Sequence, residues 1–146
     1  MITMSSNWAY DIEQMHQHYG FHEHFGNFDP ETRLKFLEFR ARFLQEELNE
    51  LNHAIKTRNP EEIVDSLADL LVVAIGTLDA NGINAHRAWD EVLKANMNKH
   101  VGIKEGRENP LGLPDLFKKP DWTPPDHSGN HGWLWQLALV EGSENP

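Results

Sequence analysis

The chain contains no cysteine in 146 residues. Disulfides, thiolate zinc sites and a cysteine nucleophile are thereby excluded. Positive charge is scarce: 13 Lys and Arg stand against 23 Asp and Glu, for a formal net charge of −10. That balance argues against non-specific binding to nucleic acid or to an anionic membrane surface. A phosphorylated ligand remains admissible where metal ions bridge the like charges. Long apolar runs are missing too. The longest stretch, Leu67 to Ile75, is interrupted by Asp69 and falls short of the roughly 18 apolar residues that mark a membrane span. No segment alternates apolar and polar residues as a half-buried strand does, and no internal repeat is visible. The start, Met1-Ile2-Thr3-Met4-Ser5-Ser6, has no basic region followed by an apolar run, so no secretory signal is expected. These absences together lead to the expectation of a soluble cytoplasmic protein (host cytoplasm, if phage-encoded) that contacts neither nucleic acid nor membrane.

What remains reads as helices followed by a coil-rich tail. A first helix is expected over about Trp8 to Tyr19, ended by Gly20, with Trp8, Ile12, Met15 and Tyr19 on its core face. A loop rich in histidine and aromatic residues, Phe21 to Phe28, should follow. Asp29-Pro30-Glu31 then starts a second helix, with Asp as N-cap, Pro at the first helical position and Glu in the first turn. It should run to about Lys56. Asn59-Pro60-Glu61-Glu62 repeats the signal for a third helix, which Asn81-Gly82 ends. Within it, Gly76 could permit close helix approach. Asn84 caps a fourth helix, about Ala85 to His100, whose buried face is expected at Trp89, Val92 and Leu93. Asn96 and Lys99 extend that face. Such a polar pair suggests a ligand or a polar cleft. Between Val101 and Asp126, five prolines argue against a long regular element, and Trp133 to Leu137 should form a short helix or strand packed on the bundle or on a second subunit. The fold class expected is all-α, of four-helix-bundle type.

Two acidic stripes carry the chemistry. Glu46, Glu47 and Glu50 continue the apolar line of Phe36, Phe39 and Phe43 on the second helix. Glu62, Asp65 and Asp69 share a line with Val72 and Gly76 on the third. Residues three and four apart lie on one helical face. Carboxylates that face a core cannot all stay ionised without a compensating cation or strong donors. Neither stripe contains a basic residue. The pair therefore looks like a cage for hard metal ions, of which Mg²⁺ with a phosphate-bearing ligand is the usual case.

These segments resemble the MazG-like nucleotide pyrophosphohydrolases of the all-α NTP pyrophosphatase superfamily. The resemblance rests on Glu47-Leu48-Asn49-Glu50 and Glu62-Ile63-Val64-Asp65, on Asp69, on Ala95-Asn96-Met97-Asn98-Lys99, and on Lys119-Pro120-Asp121-Trp122-Thr123-Pro124-Pro125-Asp126. It covers about Trp8 to Asp126, so residues 1–126 are expected to form the family domain and 127–146 a tail. It implies a metal-dependent hydrolase that splits a (deoxy)nucleoside triphosphate into the monophosphate and pyrophosphate. Glu47, Glu50, Glu62 and Asp65 would hold Mg²⁺ or Mn²⁺, and Glu46 or Glu47 would accept a proton from water. Asn96, Lys99 and Lys119 would bind phosphate oxygens. Asp69 would either join the ligands or orient Lys99 or a ligand carboxylate. A homodimer or homotetramer would complete the bundle. Base and sugar are not readable from these motifs. The aromatic content favours a purine dNTP such as dGTP or dATP, with a pyrimidine substrate, dUTP or dCTP, as the alternative.

Plainer readings compete at several positions. Any one of the glutamates could decorate a solvated helix face, and Lys119 taken alone is an ordinary surface lysine. Arg40 and Arg42 read as solvated. His16, His18, His22 and His24 tempt as metal ligands, but Gly20 breaks the helix between His18 and His22, so a surface or substrate-pocket role is expected for them. Glu50-Leu51-Asn52-His53 fits one half of a di-iron carboxylate motif, yet the third helix supplies Glu62 and Asp65 without a histidine, and neither His86 nor His100 follows a Glu at that spacing. A non-catalytic interaction module would need basic partners for its carboxylates, and the stripes contain none.

Overall fold

The computed structural model describes residues 6–142. The secretory-signal reading falls on residues 1–6, which lie almost wholly outside that span. Helix α1 covers Trp8–His18, α2 Phe21–Gly26, α3 Pro30–Lys56, α4 Pro60–Ala80 and α5 Ala85–Met97. Two short strands follow, β1 His100–Gly102 and β2 Asp115–Phe117, and a 3-10 helix spans Gly132–Leu139. No helix among the described residues is long and apolar enough to cross a membrane.

The helix starts obey the capping signals. Asn7 Oδ1 accepts from the Tyr10 N–H at 2.9 Å, Asp29 Oδ1 from Thr32 at 2.7 Å and Asn59 Oδ1 from Glu62 at 3.2 Å. Each bond satisfies one of the amides that a helix leaves unpaired at its N-terminus. At the end of α4, Gly82 takes φ +68° and Ile83 N–H donates back to Leu78 O at 3.1 Å. This is the left-handed stop expected of Asn81-Gly82.

The chain forms two compact units. One runs to Ala85 and takes in the residues from His131 onward; the other is His86–Asn130. In the first, α3 and α4 form a helical hairpin, α1 packs on α4 and α2, and the 3-10 helix packs on α3. The tail segment thus returns to the bundle. Its backbone enters so close to α4 that a Cβ on Gly132 would clash with Asn81 O, and Trp133 N–H donates to that oxygen at 2.8 Å. In the second unit β1 and β2 pair antiparallel, His100 opposite Phe117, and Trp122 Nε1–H donates to Ala95 O at 2.7 Å.

Several expectations are corrected. The supposed loop after Gly20 is helix α2. Lone aromatic residues at Phe21 and Phe25 gave no helical period over so short a span, but both rings pack on His16 of α1. The fourth helix stops at Met97, because His100 to Gly102 pair with a strand some fifteen residues away, a partner that no local pattern announces. On α1, Ile12 is buried, but Trp8 and Tyr19 are 60% and 63% exposed, and the residue that fills the core beside Ile12 is His16. The face of α5 expected to be buried is open: Trp89, Val92 and Leu93 are all exposed. Arg40 is not a solvated residue. Its Nε donates to Thr77 Oγ1 and its Nη2 to Val73 O, both at 2.9 Å.

Candidate active site: an acidic face on a helical hairpin

The turn between α3 and α4 determines which carboxylates meet. Arg58 stands at its apex with φ +58°, and Asn59 N–H returns to Ala54 O at 2.9 Å. Counting outward from Arg58 along two antiparallel helices sets Glu47 level with Asp69, and Glu50 level with Asp65 and Ser66. Ala54 and Ser66, both buried, are the small residues that let the helices close here.

The electrostatics follow this register. Glu47 is held above the ordinary glutamate range, first by burial and then by the charges of Glu50, Asp69 and Asp65. Asp69 is raised in the same way, by burial and then by Asp65 and Glu50. Glu47 Oε2 is buried without a hydrogen-bond partner. No ion pair among the described residues engages these four groups. A cluster of mutually repelling carboxylates without a basic counter-ion, with one buried oxygen left unpaired, suits a hard divalent cation.

The predicted residues are placed unevenly around this cluster. Glu47 and Asp69 are half-buried, whereas Glu46, Glu50, Glu62 and Asp65 are exposed. The stripes therefore edge the apolar faces instead of entering them. Glu62 lies in the first turn of α4 and is not among the charges that raise Glu47 or Asp69. Its register partner is the apolar Ala54. His53, the histidine of the di-iron alternative, is exposed. Asn96, Lys99 and Lys119 belong to the second unit. Asn96 is exposed and Lys99 half-buried, with its ammonium 5.6 Å from the centre of the Trp122 ring. Lys119 lines a cavity of about 440 Å³ with Lys94, Asn98, Asp121 and Trp122. Neither Asn96 nor Lys99 lines that cavity.

The family model described as Phosphoribosyl-ATP pyrophosphohydrolase matches residues 20–96, more than half of the chain. The chain belongs to this family. The family is part of the MazG-like all-α NTP pyrophosphatase superfamily, in keeping with the helical architecture. Family membership supports a pyrophosphohydrolase activity, and the matched segment contains both acidic stripes and Asn96. Lys99 and Lys119 lie beyond it. No curated protein matches the chain.

Sequence reasoning missed two charged groups held inside the fold, one buried and one half-buried. Arg33 is fully buried, with Nη2 donating to Phe25 O at 2.7 Å and Nε to Gln136 Oε1 at 3.3 Å. Asp79, in the last turn of α4, accepts from two histidines. A single Asp at the end of an apolar helix reads as a solvated terminus, and only the partners on α1 and α2 reveal otherwise.

Proposed function

We propose that the chain hydrolyses a nucleoside or deoxynucleoside triphosphate between the α and β phosphates, releasing the monophosphate and pyrophosphate. The observation that carries this reading is the coupling of Glu47, Glu50, Asp65 and Asp69 on one face of the α3–α4 hairpin without any basic counter-ion. Glu47, Glu50, Glu62 and Asp65 would hold Mg²⁺ or Mn²⁺, with Asp69 as a further ligand or as the group that orients one. A divalent ion bound there supplies charge neutralisation for the triphosphate and acidifies a water molecule.

The chain's own groups divide the remaining work. Glu47 is better placed than Glu46 to take a proton from the attacking water. Its carboxyl is raised and partly desolvated, which brings a general base nearer to the operating pH, whereas Glu46 points along the exposed side. Asn96, Lys99 and Lys119 are assigned to phosphate oxygens, where fixed donors stabilise developing charge. Lys99 is not neutralised by an ion pair within its own unit, so its charge is available for an anion.

The substrate is proposed to be a purine nucleotide, on the strength of the aromatic side chains available for stacking. dGTP or dATP is the first reading, and dUTP or dCTP the pyrimidine alternative. The name of the matched family favours a further purine candidate, phosphoribosyl-ATP. The test is a screen of the standard NTPs and dNTPs together with phosphoribosyl-ATP, in Mg²⁺ or Mn²⁺, reading pyrophosphate and monophosphate. Turnover should stop in EDTA and in Glu50→Gln. Full activity in either, or release of inorganic phosphate and a diphosphate, overturns the assignment.

A further inference from the structure

We propose that His16, His22 and Asp79 form a second metal site, built for a transition ion of the zinc class and separate from the acidic face. His16 Nδ1 lies 2.6 Å and His22 Nε2 2.7 Å from the same oxygen, Asp79 Oδ2. Among the described residues this is the group of three metal-type ligands whose donor atoms all fall within 4.8 Å of one another. The ligands come from α1, from the first turns of α2 and from the last turn of α4. Two imidazoles and one carboxylate, with a fourth position left to water, match a three-protein-ligand zinc site. Donors about 2.0–2.1 Å from a tetrahedral ion stand roughly 3.3 Å apart, so seating the ion requires each nitrogen to withdraw from Asp79 by well under 1 Å.

The surroundings favour this use. His16 is 3% exposed and the Phe25 and Phe21 rings stand 5.2 Å and 5.8 Å from it, centre to centre. Space for its imidazole exists because residue 76 is glycine: a Cβ there would sit 3.3 Å from His16 Cε1. Asp79 is a half-buried carboxylate in the last turn of a helix, where the helix dipole disfavours negative charge and favours a cation. Without the ion, the two histidines must each present a ring proton to the ionised Asp79; the ion replaces both protons. The Arg40 guanidinium lies against Gly76 on the same side. A neighbouring positive charge weakens ions held mainly by attraction to charge, such as Mg²⁺, more than one held by coordination to imidazole. Asp79 lies about 15 Å along α4 from Asp69, and His16 precedes the segment that the family model matches. An ion here would clasp α2 to α4 and would not touch the triphosphate.

The test uses the full chain, stripped of metal and without nucleotide, titrated with Zn²⁺ and, for spectroscopy, with Co²⁺. Wild type and Glu50→Gln should each take up one tight equivalent, give the strong visible band of four-coordinate Co²⁺ and melt at a higher temperature with Zn²⁺. Loss of a group that only orients a ligand weakens metal sites about 10–100-fold, so loss of a ligand should cost at least about 100-fold. His22→Ala, at a partly exposed position that should leave the fold intact, should show that loss together with loss of the band. His24→Ala, exposed on the same helix, should keep both. Unchanged Zn²⁺ affinity in His22→Ala, or affinity lost in Glu50→Gln and kept in His22→Ala, overturns the proposal.

Discussion

Trp133 lies against Arg33, its ring centre 5.2 Å from the guanidinium carbon. The ring of Phe28 stands 5.7 Å from the same carbon. Arg33 has no carboxylate partner among its hydrogen bonds, and burial lowers its pKa. The aromatic faces, the Phe25 carbonyl and the Gln136 amide are what offset the desolvation of its charge. The 3-10 helix is therefore part of the first unit, although its sequence lies beyond the proline-rich segment.

Trp133→Ala should destabilise the protein by about 2–4 kcal/mol, through lost burial and a lost cation–π contact. Trp133→Phe should cost less. Urea unfolding measures both. An alanine variant within about 0.5 kcal/mol of wild type would mean that the 3-10 helix contributes no stability.

The pH dependence of stability should have two limbs of opposite sign. Glu47 and Asp69 are raised, so between their unfolded and folded values the native state holds protons that the unfolded chain has released. Stability of the metal-free protein then falls as pH rises through that interval from about pH 4. Burial alone would raise Asp79, but hydrogen bonds and charge from His16 and His22 hold it below its ordinary value. Its contribution is complete above about pH 3.9 and lost as pH falls through the lower folded value. Melting temperature in EDTA should therefore peak in weak acid. Saturating Mg²⁺ should flatten the limb towards neutral pH, since it replaces the protons on the acidic face. A curve in EDTA that rises steadily to pH 7 contradicts the coupling of the four carboxylates.

Lys99→Ala separates two partners for this lysine. Where phosphate is the partner, turnover should fall strongly and the melting temperature without nucleotide should barely change, because only the cation–π contact with Trp122, about 0.5–1 kcal/mol, is lost. Where a buried carboxylate is its partner instead, the same change should destabilise the fold by roughly 3–5 kcal/mol. Melting and turnover of one variant distinguish these outcomes.

A second copy of the chain is the proposed cover for the outer face of α4. Val64, Leu67 and Leu71 recur at helical spacing there and are 68%, 49% and 45% exposed. A stripe of this kind marks an interface more often than a free surface. Light scattering at micromolar concentration should report a dimer or tetramer, and Leu67→Glu with Leu71→Glu should dissociate it. An active wild-type monomer would refute this.

The sequence by itself determined the starts of α3 and α4, the stop of α4, the acidic stripes and the superfamily. These depend on local chemistry: Asp29 and Asn59 cap because their side chains reach amides three residues on, Gly82 stops α4 because it tolerates positive φ, and carboxylates at helical spacing must share a face. What only the tertiary structure decided depends on residues far apart in the chain. The hairpin register set Glu47 level with Asp69, and Glu62 stays outside the charges that raise either, although all three acids look alike along their own helices. His16 became a core residue because Gly76 leaves room for its ring and Asp79 accepts its proton. Arg33 could be buried because Trp133 and Gln136 return to it from the far end of the chain. A local pattern states which face a side chain occupies; what stands opposite that face is decided by packing.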